Sequence, residues 1–327
     1  MKTSTFKTLE SNNVIEPFSN MYQGRWESRA SVRSRPRKLI DFFQPGYFFP
    51  EEKQPLLLNQ DVIALGVDVK SEILLQSFIK YLCEIINLEI KLIVSASTSI
   101  AENTEIVKYS DSERLNAYSV IIDEYYHVYV ANDMLLQIRH QFPNLPVMKY
   151  PLSDAHSAVV WAKTKLDEKL HGIFDIIAVA IFETTLVREL VEFFNSKDVH
   201  PSIKFYVNDH MNDEARHYGY FFDILTFTWE QIDGQHKDEI GRIIPEFIKR
   251  YLNIESDRSF HQDLLTYLFS DEKKAADIVG QLYKGFDVTP DVPIVKNVLN
   301  VLRKSNILQS HVVLGGFKNL GWELMHE

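Results

Sequence analysis

The chain has 327 residues, of which 45% are hydrophobic, 12% aromatic and 24% charged, which is enough apolar material for a sizeable core and argues against general disorder. Its net charge of −10 excludes nucleic acid and an anionic membrane surface as main partners, because both reward basic patches. The single cysteine, Cys83, leaves no intramolecular disulfide, the N-terminus lacks an apolar leader, and no uncharged apolar run reaches about 20 residues, so a cytoplasmic protein without a membrane partner is expected.

Residues 1–56 are rich in Ser, Asn and Arg and carry Pro17, Pro36, Pro45, Pro50 and Pro55, which breaks any long helix and predicts an extended N-terminal arm. Its stretch Ser31 to Ile40 is locally basic and is expected to lie, solvated, over an acidic body. Residues 57–327 read as one helical domain. From Lys70 to about Ile100, Leu74, Leu75, Phe78, Leu82, Ile85, Ile86, Leu92 and Ile93 follow a 3.6-residue period and predict a long helix. A second starts at Ser110 or Ser112, either an acceptable cap, and runs through Tyr118, Ile121, Tyr125 and Val128 to Arg139, before Pro143 and Pro146.

Ser153 caps a shorter helix, and after Gly172 the apolar run Ile173 to Phe194 follows, stopped between Asn195 and Pro201. The segment Ser202 to Trp229 is helical again, with shorter helices near 236–253, 259–269, 271–284 and 291–304. Strand-like alternation is almost absent, so the fold class is an all-α helical bundle with additional helices.

A dinuclear metal site in a bundle needs inward carboxylates and neutral imidazoles, and Glu-x-x-His places both on one helical face. With 24 Glu and 11 His, random placement yields roughly one such tetrad, whereas the chain has four. Glu124/His127 has Ala117, Val120, Ile121, Val128 and Ala131 at helical spacing, an apolar stripe in which an unpaired carboxylate would cost several kcal/mol. Glu168/His171 lies among Lys163, Lys165 and Lys169 and reads as a solvated surface, and Glu323/His326 sits at the C-terminus, where fraying is expected. Glu214/His217 is extended upstream to His210-x-x-x-Glu214-x-x-His217, a pattern expected by chance on the order of 0.03 times in such a chain. At about 100° per residue its three side chains fall within one narrow arc and can converge on a metal.

Two more carboxylates are needed from other helices. Glu183 is flanked by Ile176, Val179, Ala180, Leu186, Val187 and Leu190. Glu89 sees Leu82, Ile85, Ile86, Leu92, Ile93 and Ala96, whereas Glu84 shares its side with Lys80, Asn87 and Lys91, so Glu89 is favoured as the buried ligand. Asp123 and Asp213 each precede an accepted tetrad and can orient the histidine of the opposite helix, since a ligating imidazole usually donates its other N–H to a carboxylate.

The set Glu89, Glu124-x-x-His127, Glu183 and His210-x-x-x-Glu214-x-x-His217 resembles the diiron N-oxygenases of the p-aminobenzoate N-oxygenase family over roughly residues 70–230. The resemblance implies a ferritin-like bundle, these seven residues as ligands of two iron ions, and dioxygen as co-substrate. The third histidine, His210, is the diagnostic feature, because ordinary ferritin-like diiron proteins carry two. It further implies oxidation of an amine nitrogen to a hydroxylamine, nitroso or nitro group, an external electron donor, and a homodimer. Members acting on aryl carboxylates resemble one another in an arginine and an asparagine near the substrate, where this chain has Glu84 and Val187. The implied substrate is therefore a small-molecule amine or an amino acid tethered to a carrier protein in a secondary-metabolite pathway, with Glu84 able to attract an ammonium group. Tyr125, Phe182, Met211 and Tyr218 are candidate pocket residues. The competing readings are a diiron hydroxylase or desaturase acting at carbon, a ferritin-like iron-binding protein, and a metal-free helical interaction module.

Overall fold

The computed structural model describes residues 21–185 and 196–324. Their secondary structure is helical throughout, with one isolated parallel bridge between Tyr47 and Val199 and no strand among the described residues. The helices of eight or more residues are numbered here in chain order. Helix α1 spans Met21–Arg29, inside the segment expected to be extended and between two of its prolines. Helix α2, Val67–Leu88, continues through a π-helical turn, Glu89–Ile93, into α3, Val94–Glu102, which ends on Asn103 in the left-handed conformation at φ 59°. The expected 70–100 helix is thus one rod with an internal change of winding.

Helix α4, Asp111–Gln141, opens on a capping box in which the Glu113 amide donates to Ser110 Oγ and the Ser110 amide donates to Glu113 Oε2. Of the two candidate caps, the structure uses Ser110. Helix α5 spans Asp154–Lys163 and is capped by Ser153. Helix α6, His171–Glu183, carries the apolar run, and the remainder of that run, from Leu186 to Phe194, lies outside the described residues. Helix α7, Pro201–Gln231, starts with proline at its first turn, where the missing N–H costs nothing, and with the His200 ring accepting the Ser202 amide. Five further helices follow: α8 Gly234–Tyr251, α9 Glu255–Phe269, α10 Glu272–Leu282, α11 Pro293–Lys304 and α12 His311–Asn319, the last not anticipated from the sequence pattern.

The α2–α3 rod, α4, α6 and α7 form the bundle. One apolar cluster joins Leu92, Ile93 and Ile100 of the rod to Ala117 and Val120 of α4, Ile176 to Phe182 of α6, Phe221 and Ile224 of α7, and the C-terminal helices. A second joins Leu74 to Ile85 of the rod, Val130 to Ile138 of α4, and Ile203 to Met211 of α7. Along the rod, α4 and α7 the chain passes from one cluster to the other, and the residues between are Glu89, Asp123–His127 and Asp213–His217. A polar layer is therefore sandwiched between two dry cores. Burying so many charged groups there is costly unless something neutralises them.

Candidate metal centre

Each element delivers its polar side chains to that layer for a local reason. Glu89 opens the π turn, a winding that recurs at functional sites because it re-aims a side chain within an otherwise regular helix. Glu124 and His127 are one helical turn apart on α4, as are His210, Glu214 and His217 over two turns of α7. Glu183 is the last residue of α6, followed by Thr184 and Thr185, whose hydroxyls donate back to Ala180 and Ile181 carbonyls. All seven side chains are buried.

They form two groups sharing one member. Ligand-capable atoms of Glu89, His127, His210 and Glu214 lie within 4.8 Å of one another, as do those of Glu124, Glu183, Glu214 and His217. Glu214 turns Oε1 to His127 Nδ1 at 3.3 Å and His210 Nε2 at 3.1 Å, and Oε2 to His217 Nδ1 at 3.4 Å. Glu124 likewise faces both ways, with Oε2 3.5 Å from His127 Nδ1 and Oε1 2.9 Å from His217 Nδ1. Glu89 and Glu183 approach one group each: Glu89 Oε1 is 3.3 Å from His210 Nε2, and Glu183 Oε2 is 3.6 Å from His217 Nδ1. The His127 and His210 rings stack with centroids 4.1 Å apart.

The two aspartates cross between helices. His127 Nε2 meets Asp213 Oδ2 at 3.2 Å and His217 Nε2 meets Asp123 Oδ2 at 3.3 Å. Donation of each Nε2–H to its aspartate leaves the Nδ1 lone pair directed at the carboxylate oxygens. Lone pairs facing lone pairs repel, so the arrangement wants a cation, either a proton or a metal ion. Consistent with that demand, both Glu124 oxygens, Glu89 Oε2, Glu183 Oε2, and Nδ1 of His127 and His217 are buried without hydrogen-bond geometry to any partner among the described residues. Such a donor set, carboxylate oxygen and imidazole nitrogen in two adjoining clusters, fits a pair of divalent transition-metal ions.

Electrostatics point the same way. Burial pushes the carboxyls of Glu89 and Glu183 well above the usual range, reinforced by Glu124 beside the first and Glu214 beside the second. Burial alone would lower His127 and His217. The Asp213 and Glu124 contacts override it at His127, and the Glu214 charge overrides it at His217, so both are raised well above the ordinary imidazole value. His210 is lowered, by burial and by the neighbouring His127. Glu214 is held well below its usual range because its contacts with His217 and His210, His217 first, outweigh burial. Metal binding to such a set would displace any protons its ligands carry.

Not every candidate residue joins the cluster. Glu84 pairs with Lys80 at 2.7 Å, and Lys80 also meets Asp257 at 2.7 Å, so the ammonium that Glu84 attracts belongs to the chain itself. Tyr125 and Tyr218 are 54% and 40% exposed, because a residue next to a ligand on a helix is rotated by about 100°. Phe182 is buried against Tyr251 and Phe247 with centroids 4.5 and 5.8 Å away, and Met211 sits in the second apolar cluster, so both are core side chains. Val187 lies outside the described residues. Glu168 stands exposed in a single 3₁₀ turn, and Glu323 is exposed.

Three residues went unnoticed in the sequence. Trp26 Nε1 donates to Asp123 Oδ1 at 2.9 Å, the Ser31 amide donates to Asp213 Oδ1 at 3.1 Å, and Arg216 bridges both aspartates, reaching Asp123 Oδ2 at 3.2 Å. Arg216 had a signal, since it lies inside the Asp213–His217 motif. Trp26 had none beyond being the large apolar residue of a polar, arginine-rich segment. That basic segment lies over acidic side chains with Arg33, Arg35 and Arg37 exposed, as expected, but Lys38 is buried against Asp209; Arg35 meets Asp209 at 2.7 Å, and Arg37 grips Asp133 at 2.7 and 2.9 Å.

Among curated proteins nothing matches the chain. The family model described as P-aminobenzoate N-oxygenase AurF matches residues 33–260, a span that includes every member of both clusters. That match covers most of the chain and agrees with the helical, ferritin-like bundle, so the protein belongs to the p-aminobenzoate N-oxygenase family and is an oxygenase.

Proposed function

We propose that the protein is a diiron N-oxygenase that uses dioxygen to oxidise the nitrogen of a small-molecule amine to a hydroxylamine, nitroso or nitro product. The observation that supports this most is the double reach of Glu124 and Glu214, each offering one oxygen to either imidazole group, as bridging carboxylates of a two-metal site do. Glu89, His127 and His210 would hold one iron and Glu183 and His217 the other. Two ferrous ions supply the electrons and open positions that dioxygen activation requires.

The residues contribute the rest. Four carboxylates balance the four positive charges of a diferrous pair. Asp123 and Asp213 hold two imidazoles in the tautomer that turns Nδ1 inward. His210 adds a third imidazole on the Glu89 side and makes the two positions unequal. The flanking apolar clusters exclude bulk water from the layer, which favours oxygen transfer to nitrogen over loss of oxidising equivalents to solvent. The substrate is a free amine or an amino acid carried on a carrier protein, electrons come from an external donor, and the protein works as a cytoplasmic homodimer. No helix among the described residues is long and apolar enough to cross a membrane.

Anaerobic ferrous loading followed by metal analysis and exposure to ¹⁸O₂ with ¹⁵N-labelled amines tests this reading. About two irons per chain and ¹⁸O on nitrogen are expected. Less than one iron per chain, or label on carbon, would overturn it.

A further inference from the structure

Both aspartates that steer the inward histidines are themselves steered from one short stretch of chain. Trp26, 6% exposed at the end of α1, gives its indole N–H to Asp123, and Ser31, at the start of the single-turn helix Ser31–Ser34, gives its backbone N–H to Asp213. Ala30 between them is fully buried. The stretch is fastened on both sides: the Tyr22 ring lies 5.5 Å from that of Tyr220, and Arg35 and Lys38 hold Asp209. Trp26 and Ser31 both precede the span that the family model matches.

We propose that this N-terminal stretch is a positioning strap for the metal centre, with Trp26 tuning the His217 group and the Ser31 amide tuning the His127 group. The inference rests on the two-ion reading above. The two relays run in parallel: Trp26 to Asp123 to His217, and Ser31 to Asp213 to His127. Asp123 and Asp213 are buried with no exposure, so water cannot replace a donor that is removed. An aspartate that loses its outer donor turns or takes a proton, and its histidine then loses tautomer and orientation. Outer hydrogen-bond partners of this kind typically control metal affinity by about 10–100-fold. Among the described residues the relays meet at Arg216, at the shared Glu214 and at Glu124, so each outer donor acts mainly on its own group.

The two donors can be removed separately. Trp26→Phe keeps the ring and deletes the N–H. Ser31→Pro deletes the amide at the first position of a helix turn, where proline is tolerated, and the preceding Ala30 is already extended at φ −59°, ψ 134°. Arg33→Ala removes the guanidinium 5.4 Å over the Trp26 ring and leaves both hydrogen bonds, and so serves as the control. The readout is an anaerobic cobalt(II) titration of the metal-free full chain, followed by its visible absorption, with a thermal melt of each metal-free variant.

Wild type and Arg33→Ala should take up two ions with equal isotherms. Trp26→Phe and Ser31→Pro should each weaken one ion by about 10–100-fold and spare the other, with different absorption spectra for the ion that remains. Two unaltered ions in both variants would overturn the strap, as would equal weakening of both ions in step with a lowered melting temperature. Wild type that binds no cobalt would remove the two-ion reading and the strap together, which the variants alone cannot do.

Discussion

Glu214 presents an oxygen to each group, whereas Glu183 faces one and Glu168 faces solvent, so a graded series follows. Glu214→Ala should lower metal uptake after anaerobic loading and desalting from two ions to fewer than one. Glu183→Ala should leave about one ion, and Glu168→Ala should leave two. Equal loss in Glu168→Ala would show that the Glu168/His171 tetrad, too, holds metal. At this scale the sequence carried much of the arrangement. The extra turn of spacing from His210 to Glu214, and the apolar neighbours of Glu89, Glu124 and Glu183, mark buried charge that needs compensation. The repeated Asp before each tetrad marked the crossed hydrogen bonds that the fold displays. Tyr125 and Tyr218 turn toward the outside of their helices, because adjacency in sequence is not adjacency on a helix face. Glu84 is paired by Lys80, one turn earlier.

Among the elements, the α2–α3 rod shows what a regular period hides. The π turn at Glu89–Ile93 interrupts the regular winding at the ligand itself, while Glu89, Leu92 and Ile93 stay buried on one face. The C-terminal helices show a second kind of constraint. Helix α12 crosses α8 so closely that a Cβ at Gly316 would lie 2.7 Å from Pro245 Cγ, and one at Gly241 would lie 3.1 Å from Val313 Cγ2. The Pro245 ring is rigid and sits inside a helix, so it cannot yield as a flexible side chain would. Gly316→Ala should therefore destabilise the protein by about 1–3 kcal/mol in a denaturant melt. An unchanged midpoint would mean that the helices separate at no cost. Neither glycine looked like a packing residue in the sequence, because the partner that makes it one lies more than sixty residues away for each.

At the scale of the whole molecule, the polar layer joins two apolar clusters, and its charge is balanced only when cations occupy it. Metal should thus stabilise the folded chain as a whole. With free iron at about a hundred times the dissociation constant, each ion adds roughly 2.7 kcal/mol, and chelation should lower the melting temperature accordingly in calorimetry. A melting temperature indifferent to chelation would show that protons alone satisfy the layer. The N-terminal stretch belongs to this balance too, since it closes the layer from outside with Trp26 and Ser31.

By itself the sequence determined the all-α bundle, the main helices that build it, and which carboxylates and imidazoles share a helical face. Those follow from local periodicity, capping and the cost of burying a lone charge. The tertiary structure alone decided that the seven side chains split into two groups sharing Glu214, that Trp26, Ser31 and Arg216 hold the aspartates, and that Glu84 is committed to Lys80. The grouping and the outer holds are contacts between segments remote in the chain, set by how helices cross and where an arm is laid down. The Lys80 pair, though one turn away, could be distinguished from an open carboxylate only once the surroundings of that helix face were in place.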